Sequence, residues 1–160
     1  MEFAIVPAYG AQKEIAELFG EYTDILVARD PAFRGYLNLQ GYDEEVMHPE
    51  RKYGPPGGRL YLARAGEELA GCVALRRLDD ERCEMKRLYV RQAFREQGLG
   101  ERLVRLVIDD ARKMGYRHLL LDTLPFLTVA IEMYRRIGFV DIPRYNNSPL
   151  DDTVYMGMEL

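Results

Sequence analysis

The stretch MKRLYVRQAFREQGLGERL, residues 85–103, decides how this 160-residue chain is read. It opens inside a strand, RCEMKRLYV from Arg82 to Val90. Simple alternation puts Cys83, Met85, Arg87 and Tyr89 on one face and Glu84, Lys86, Leu88 and Val90 on the other. It closes in a helix. Leu99, Leu103, Leu106, Val107, Ala111 and Met114 form one apolar stripe, with Gly115 as its C-terminal cap. Between the two lie Gly98 and Gly100, which leave the main chain bare and allow positive φ. The first amides of the helix have no intrahelical partner, and the helix dipole adds partial positive charge there. That backbone suits a phosphate-bearing ligand. Arg95 can supplement it, with Arg91 and Arg102 as further candidates.

Working outward, FAIVP (3–7) reads as a first strand ended by Pro7. Ile15, Leu18, Phe19, Tyr22, Ile25 and Leu26 have helical spacing over Gln12 to Arg29, and Asp30 and Pro31 stop that helix. Residues 32–50 form a shorter aromatic-rich segment, whose Asp43, Glu44 and Glu45 could attract a cationic amine but read better as a solvated acidic turn. YGPPGG (53–58) is a turn. RLYLARA (59–65) and LAGCVALRRL (69–78) are strands, and DDE (79–81) is a hairpin connection. HLLLD (118–122) is a continuous apolar run suited to a central strand covered on both faces. Ala130, Met133, Tyr134 and Ile137 make a second helical stripe, closed by Gly138, and FVDI (139–142) and TVYMGMEL (153–160) complete the sheet. The order implies one mixed α/β domain over residues 1–160.

Composition narrows the function. A net charge of −4 argues against a nucleic-acid or anionic-membrane partner, so an anion site must be local. No run reaches the ~20 apolar residues of a membrane span. The start of the chain lacks the pattern of a signal peptide, and the expected location is cytoplasmic. Two cysteines, Cys72 and Cys83, and two histidines, His48 and His118, show no metal-binding spacing, so no metal is expected and the thiols are read as buried and unpaired.

Three phosphate-binding patterns compete for the glycine turn. A P-loop requires Lys-Ser/Thr after its last glycine, but Glu101-Arg102 follows here. A dinucleotide fingerprint requires Gly or Ala where Leu103 stands. The third pattern, Arg/Gln-x-x-Gly-x-Gly/Ala, is met by Arg95-Glu96-Gln97-Gly98-Leu99-Gly100. It resembles the acetyl-coenzyme A loop of the GNAT superfamily of N-acetyltransferases. A second family feature, a helix carrying A-x-x-x-Y-x-x-x-G-F, is matched by AIEMYRRIGF (130–139). The resemblance is good over residues 83–140. It departs at Leu127, where many members carry an asparagine that contacts the cofactor; Thr128 is the neighbouring substitute.

The resemblance implies a mostly antiparallel sheet flanked by helices, with a splayed strand pair at the cofactor site. It implies acetyl-CoA as cosubstrate and direct transfer to an amine in a ternary complex. Leu88, Tyr89 and Val90 would pair with the pantetheine arm through their main chain, and an N–H near Val90 would hold the thioester oxygen. Residues 95–101, among them Glu96, Gln97, Leu99 and Glu101, would cradle the phosphates. Tyr134 would be the general acid for the leaving thiolate. On periodicity alone, Tyr134 is an ordinary core tyrosine. Glu84 is the candidate base, directly or through water, against a plain reading as a salt-bridged strand residue. Lys86 and Arg87 could instead hold a carboxylate of the substrate. Tyr36, Tyr42, Tyr53 and Tyr145, with Asn146 and Asn147, suit the wall of a small-molecule amine site, and RYNNSPLDD (144–152) a loop over it. Other readings are a non-catalytic acetyl-CoA-binding sensor or interaction module, and a nucleic-acid binder using Arg91, Arg95 and Arg102. Monomer and homodimer both stay open.

Overall fold

A computed structural model describes residues 1–160. Seven strands, β1 (Ala4–Pro7), β2 (Arg59–Ala65), β3 (Glu68–Arg77), β4 (Arg82–Val90), β5 (His118–Thr123), β6 (Val140–Asp141) and β7 (Val154–Glu159), form one sheet in the order β1-β2-β3-β4-β5-β7-β6. Every neighbouring pair is antiparallel except β4–β5. That parallel pair needs a crossover, which the long helix between the two strands supplies.

Six helices cover the faces: α1 (Gln12–Arg29), α2 (Phe33–Leu39), α3 (Tyr42–Met47), α4 (Pro49–Tyr53), α5 (Leu99–Lys113) and α6 (Thr128–Ile137). On one face the apolar stripe of α5 (Leu99, Leu103, Val107) and Tyr134 of α6 pack on Val73, Cys83, Met85 and Leu121. On the other, Ile15, Leu18 and Phe19 of α1 and Tyr53 of α4 pack on Leu60, Leu62, Cys72 and Ala74. Cys72 and Cys83 are both buried, unpaired and on opposite faces of the sheet.

The aromatic-rich segment expected over residues 32–50 folds as three short helices that run on to Tyr53. Phe33, Tyr36 and Leu37 bury one side of α2 against Leu26 and Leu124. Gly41, at φ +70°, turns the chain into α3, and Pro49 starts α4 where its missing N–H does no harm.

Candidate active site

The site begins with an irregularity in β4. Cys72 pairs with Tyr89 and Ala74 with Lys86, so Val73 alone faces both Arg87 and Leu88. This is a β-bulge, and Arg87 sits in it at φ +59°. The extra residue reverses the alternation expected from sequence. Cys83, Met85, Leu88 and Val90 pack toward α5, whereas Arg87 and Tyr89 turn to the α1–α3 side. Arg87 therefore shares a side with Glu84 and Lys86, not the opposite one. The thiol of Cys72 donates to the Arg87 carbonyl at 3.3 Å, giving the displaced peptide a partner.

Ahead of the bulge, β4 also parts from β5. Their ladder runs from Arg82–His118 to Glu84–Leu120 and stops, and the later residues of β5 pair only with β7. Arg91 N–H donates to Ala70 at 2.8 Å, so by antiparallel alternation the Val90 N–H points away from β3, into the opening. Gly71, opposite Val90, makes that geometry possible: a Cβ there would lie 2.5 Å from the Tyr89 carbonyl oxygen.

The opening is a cleft of about 940 Å³. At one end Gly98 (φ +81°) caps α5 with no side chain in the way, and Gly100 follows in its first turn. Arg95, Arg102 and Arg136 line the same end. Arg95 Nε donates to the Val90 carbonyl at 2.9 Å, which ties the turn to the end of β4. Arg91 does not serve here. It is bound to Glu17 at 2.9 Å and Glu21 at 2.6 Å on α1. A bare helix start, the cationic side chains of Arg95 and Arg102 and an unpaired strand edge fit a phosphorylated cosubstrate with an amide-bearing arm.

Tyr134 lines the cleft from α6, its ring edge-on to Phe139. Burial pushes its phenol well above the ordinary tyrosine range, so it keeps its proton at neutral pH.

A second cavity of about 210 Å³ opens beside the cleft and shares Tyr36, Gln40 and Lys86 with it. Glu84 lines this one. Its side chain is buried and both oxygens are engaged, Oε1 by Arg76 Nε at 2.8 Å and Oε2 by the Tyr145 hydroxyl. Arg87 is bound in a fork by Glu45, at 2.7 and 3.0 Å, and donates to Gln40 at 2.8 Å. Glu45 also takes Lys52 at 2.8 Å. The solvated acidic turn expected at 43–45 is thus corrected at one residue. Asp43 and Glu44 are exposed, but helical phase turns Glu45 inward onto Arg87. Asp122, at the end of β5, accepts from the Tyr36 hydroxyl and from Asn146 Nδ2 at 2.7 Å; Asn146 in turn accepts from Tyr155 at 2.9 Å. This network pins residues 144–148 beside the smaller cavity.

The comparisons with known proteins now bear on this geometry. Residues 16–139 match the model of the acetyltransferase (GNAT) family. The chain belongs to the GNAT family. It is 41% identical over 126 residues to an uncharacterized N-acetyltransferase of Schizosaccharomyces pombe, covering 78% of this chain and 77% of that protein. A GNAT acetyltransferase from Staphylococcus aureus shares the fold at a TM-score of 0.76 and 20% identity, over 99% of both chains. One from Elizabethkingia anophelis, solved with acetyl-CoA bound, is 30% identical at a TM-score of 0.56, over 65% of this chain and 77% of that one. The GNAT assignment makes this an N-acetyltransferase that uses acetyl-CoA.

Among the residues expected to serve a GNAT site, Leu88, Tyr89, Val90, Arg95, Glu96, Gly98, Leu99, Gly100, Glu101, Thr128 and Tyr134 all line the cleft. Gln97 does not, and Glu84 lies in the neighbouring cavity. Leu99 is a core residue by its side chain, the Glu101 carboxylate is held by Arg105 and Arg136, and the Tyr89 hydroxyl is on Glu21. Leu127 is the N-cap of α6 without a side-chain hydrogen bond. His118 starts β5, away from both cavities. Sequence reasoning missed Asp122, although its place at the carboxyl end of a buried parallel-paired strand is a usual one for a binding residue. It also missed Glu45 and Lys52, for which no short-range signal exists.

Proposed function

We propose that residues 1–160 act as one domain that transfers the acetyl group of acetyl-CoA to a primary amine of a small molecule, by direct attack in a ternary complex. The observation that carries this reading is the unpaired stretch of β4 past Glu84, with the glycine turn of α5 at its end and Tyr134 inside it. We read that stretch as the splayed pair: Leu88, Tyr89 and Val90 present their main chain to the pantetheine arm, and the Val90 N–H polarises the thioester carbonyl. Gly98, Leu99, Gly100 and their neighbours 95–97 and 101 receive the phosphates, and Thr128 stands where the usual asparagine is missing.

Acetyl-CoA supplies an activated acyl carbon and a thiolate leaving group. Glu84 accepts the proton of the incoming ammonium, through water, since both its oxygens are engaged. The amine lone pair then forms the N–C bond as the C–S bond breaks, and Tyr134 gives its proton to the departing sulfur. The second proton of the acylated nitrogen restores the Tyr134 hydroxyl, leaving the amide, free coenzyme A and one proton on Glu84 for release to solvent. Tyr36, Tyr145 and the 144–152 loop form the acceptor wall.

Calorimetric titration with acetyl-CoA, with NADH and ATP as controls, followed by an amine panel, is the test. Selective micromolar binding and release of coenzyme A that depends on an amine are expected. Binding without turnover of any amine would instead leave a non-catalytic sensor, and no binding would remove the cleft's assignment.

A further inference from the structure

We propose that the acceptor amine also carries a carboxylate, and that Lys86 is its anchor. This rests on the acetyltransferase reading above. The Lys86 side chain is only 6% exposed, yet its ammonium has no hydrogen-bond partner. The nearest carboxylate oxygen, Glu84 Oε1, is 3.9 Å away and already holds Arg76. Every other charge around it is committed. Arg87 and Lys52 are bound to Glu45, and Asp122 accepts from Tyr36 and Asn146. Lys86 lines both the cleft and the smaller cavity, so its ammonium stands where an acceptor must pass between them.

An ammonium on a largely buried side chain, with no protein acceptor in reach and only the cavity to face, is a costly arrangement that an incoming anion relieves. Burial depresses its pKa, and Arg87 and Lys52 push the same way against Glu84 and Asp122. One unsatisfied positive charge in a small cavity matches one negative charge. Lys52 and Arg76, the other cations lining that cavity, are ion-paired, but Glu45 is shared by Lys52 and Arg87 and Glu84 lies between Arg76 and Lys86. With Asp122 these carboxylates leave one positive charge in excess, which suits a monoanionic carboxylate better than a phosphate dianion. Of the two side chains that sequence offered for a substrate carboxylate, the bulge commits Arg87 to Glu45 and leaves Lys86.

The test uses amines paired with amino acids that differ only by a carboxylate one to four carbons from the nitrogen. In the wild type, the best carboxylated substrate should exceed its partner at least tenfold in kcat/KM. Lys86→Met should erase that difference through KM, leaving acetyl-CoA affinity within twofold, and Lys86→Arg should restore part of it. A preference absent from the wild type, or one that survives in Lys86→Met, overturns the proposal. A second arm needs no turnover. Adding the N-acetylated amino acids of the panel should raise the Lys86 ammonium pKa followed by NMR, and their affinity should fall tenfold in Lys86→Met. No response there also overturns it. Failure of acetyl-CoA binding would fell the transferase reading by itself, while this arm still judges the anchor.

Discussion

In the proposed mechanism, Tyr134 is the residue on which the chemistry turns. It sits in the apolar layer between α6 and the sheet, with its phenol held protonated by burial. Tyr134→Phe removes only the hydroxyl. Turnover should fall about 100-fold, the usual scale for a lost general acid, while the calorimetric affinity for acetyl-CoA stays within twofold; an unchanged kcat would strip Tyr134 of its role. The position of this tyrosine and that of the glycine turn were legible in the sequence, because helical spacing and Gly-x-Gly are local patterns. Arg87 was not. Its partner Glu45 is 42 residues away on a helix too short to announce itself, so an acid that belongs to the core looked like one that faces water.

At the level of the element, the order of strands and helices followed from periodicity, as did most of their bounds. The facing of β4 did not, since a bulge is a property of two strands and is invisible in either alone. One extra residue carried Arg87 across the sheet and left Lys86 and Arg87 as consecutive side chains on one side. A non-glycine residue at positive φ stores about 1–3 kcal/mol of strain, which persists only if its surroundings impose it. Gly71 is one such surrounding. In Gly71→Ala the new methyl would meet the Tyr89 carbonyl and push the end of β4 aside. We expect acetyl-CoA affinity to drop about tenfold and stability to fall by about 1–3 kcal/mol, with far-UV circular dichroism retained. Full affinity would show that the Val90 end is not held by this close approach.

Across the whole molecule, Glu45 joins the layer of short helices to the sheet. Burial raises its pKa, but Arg87 and then Lys52 outweigh that and bring it down to about 2. A carboxylate depressed in the folded state stabilises the fold above its unfolded pKa, near 4.3, and loses that contribution as pH falls toward 2. The contribution at neutral pH is about 3 kcal/mol. Glu45→Gln should therefore lower the melting temperature by about 10 °C at pH 7, and the gap to wild type should close in acid. An equal gap at pH 7 and pH 3 would show that the pair is not the cause. Glu45 also sets a boundary on how such an enzyme can diversify. On the proposed reading the acetyl-CoA half of the site lies within residues 82–139, whereas the acceptor wall comes from 32–53 and 143–152. These two segments meet the frame through buried apolar residues such as Leu37, Tyr53 and Leu150 and at polar joints to Arg87 and Asp122. Descendants of this chain can exchange those segments and take up new amines with the transfer machinery untouched, provided that an acid still arrives beneath Arg87. Innovation in substrate is thus cheap at the exposed positions of that wall, and costly where it enters the core or meets Arg87.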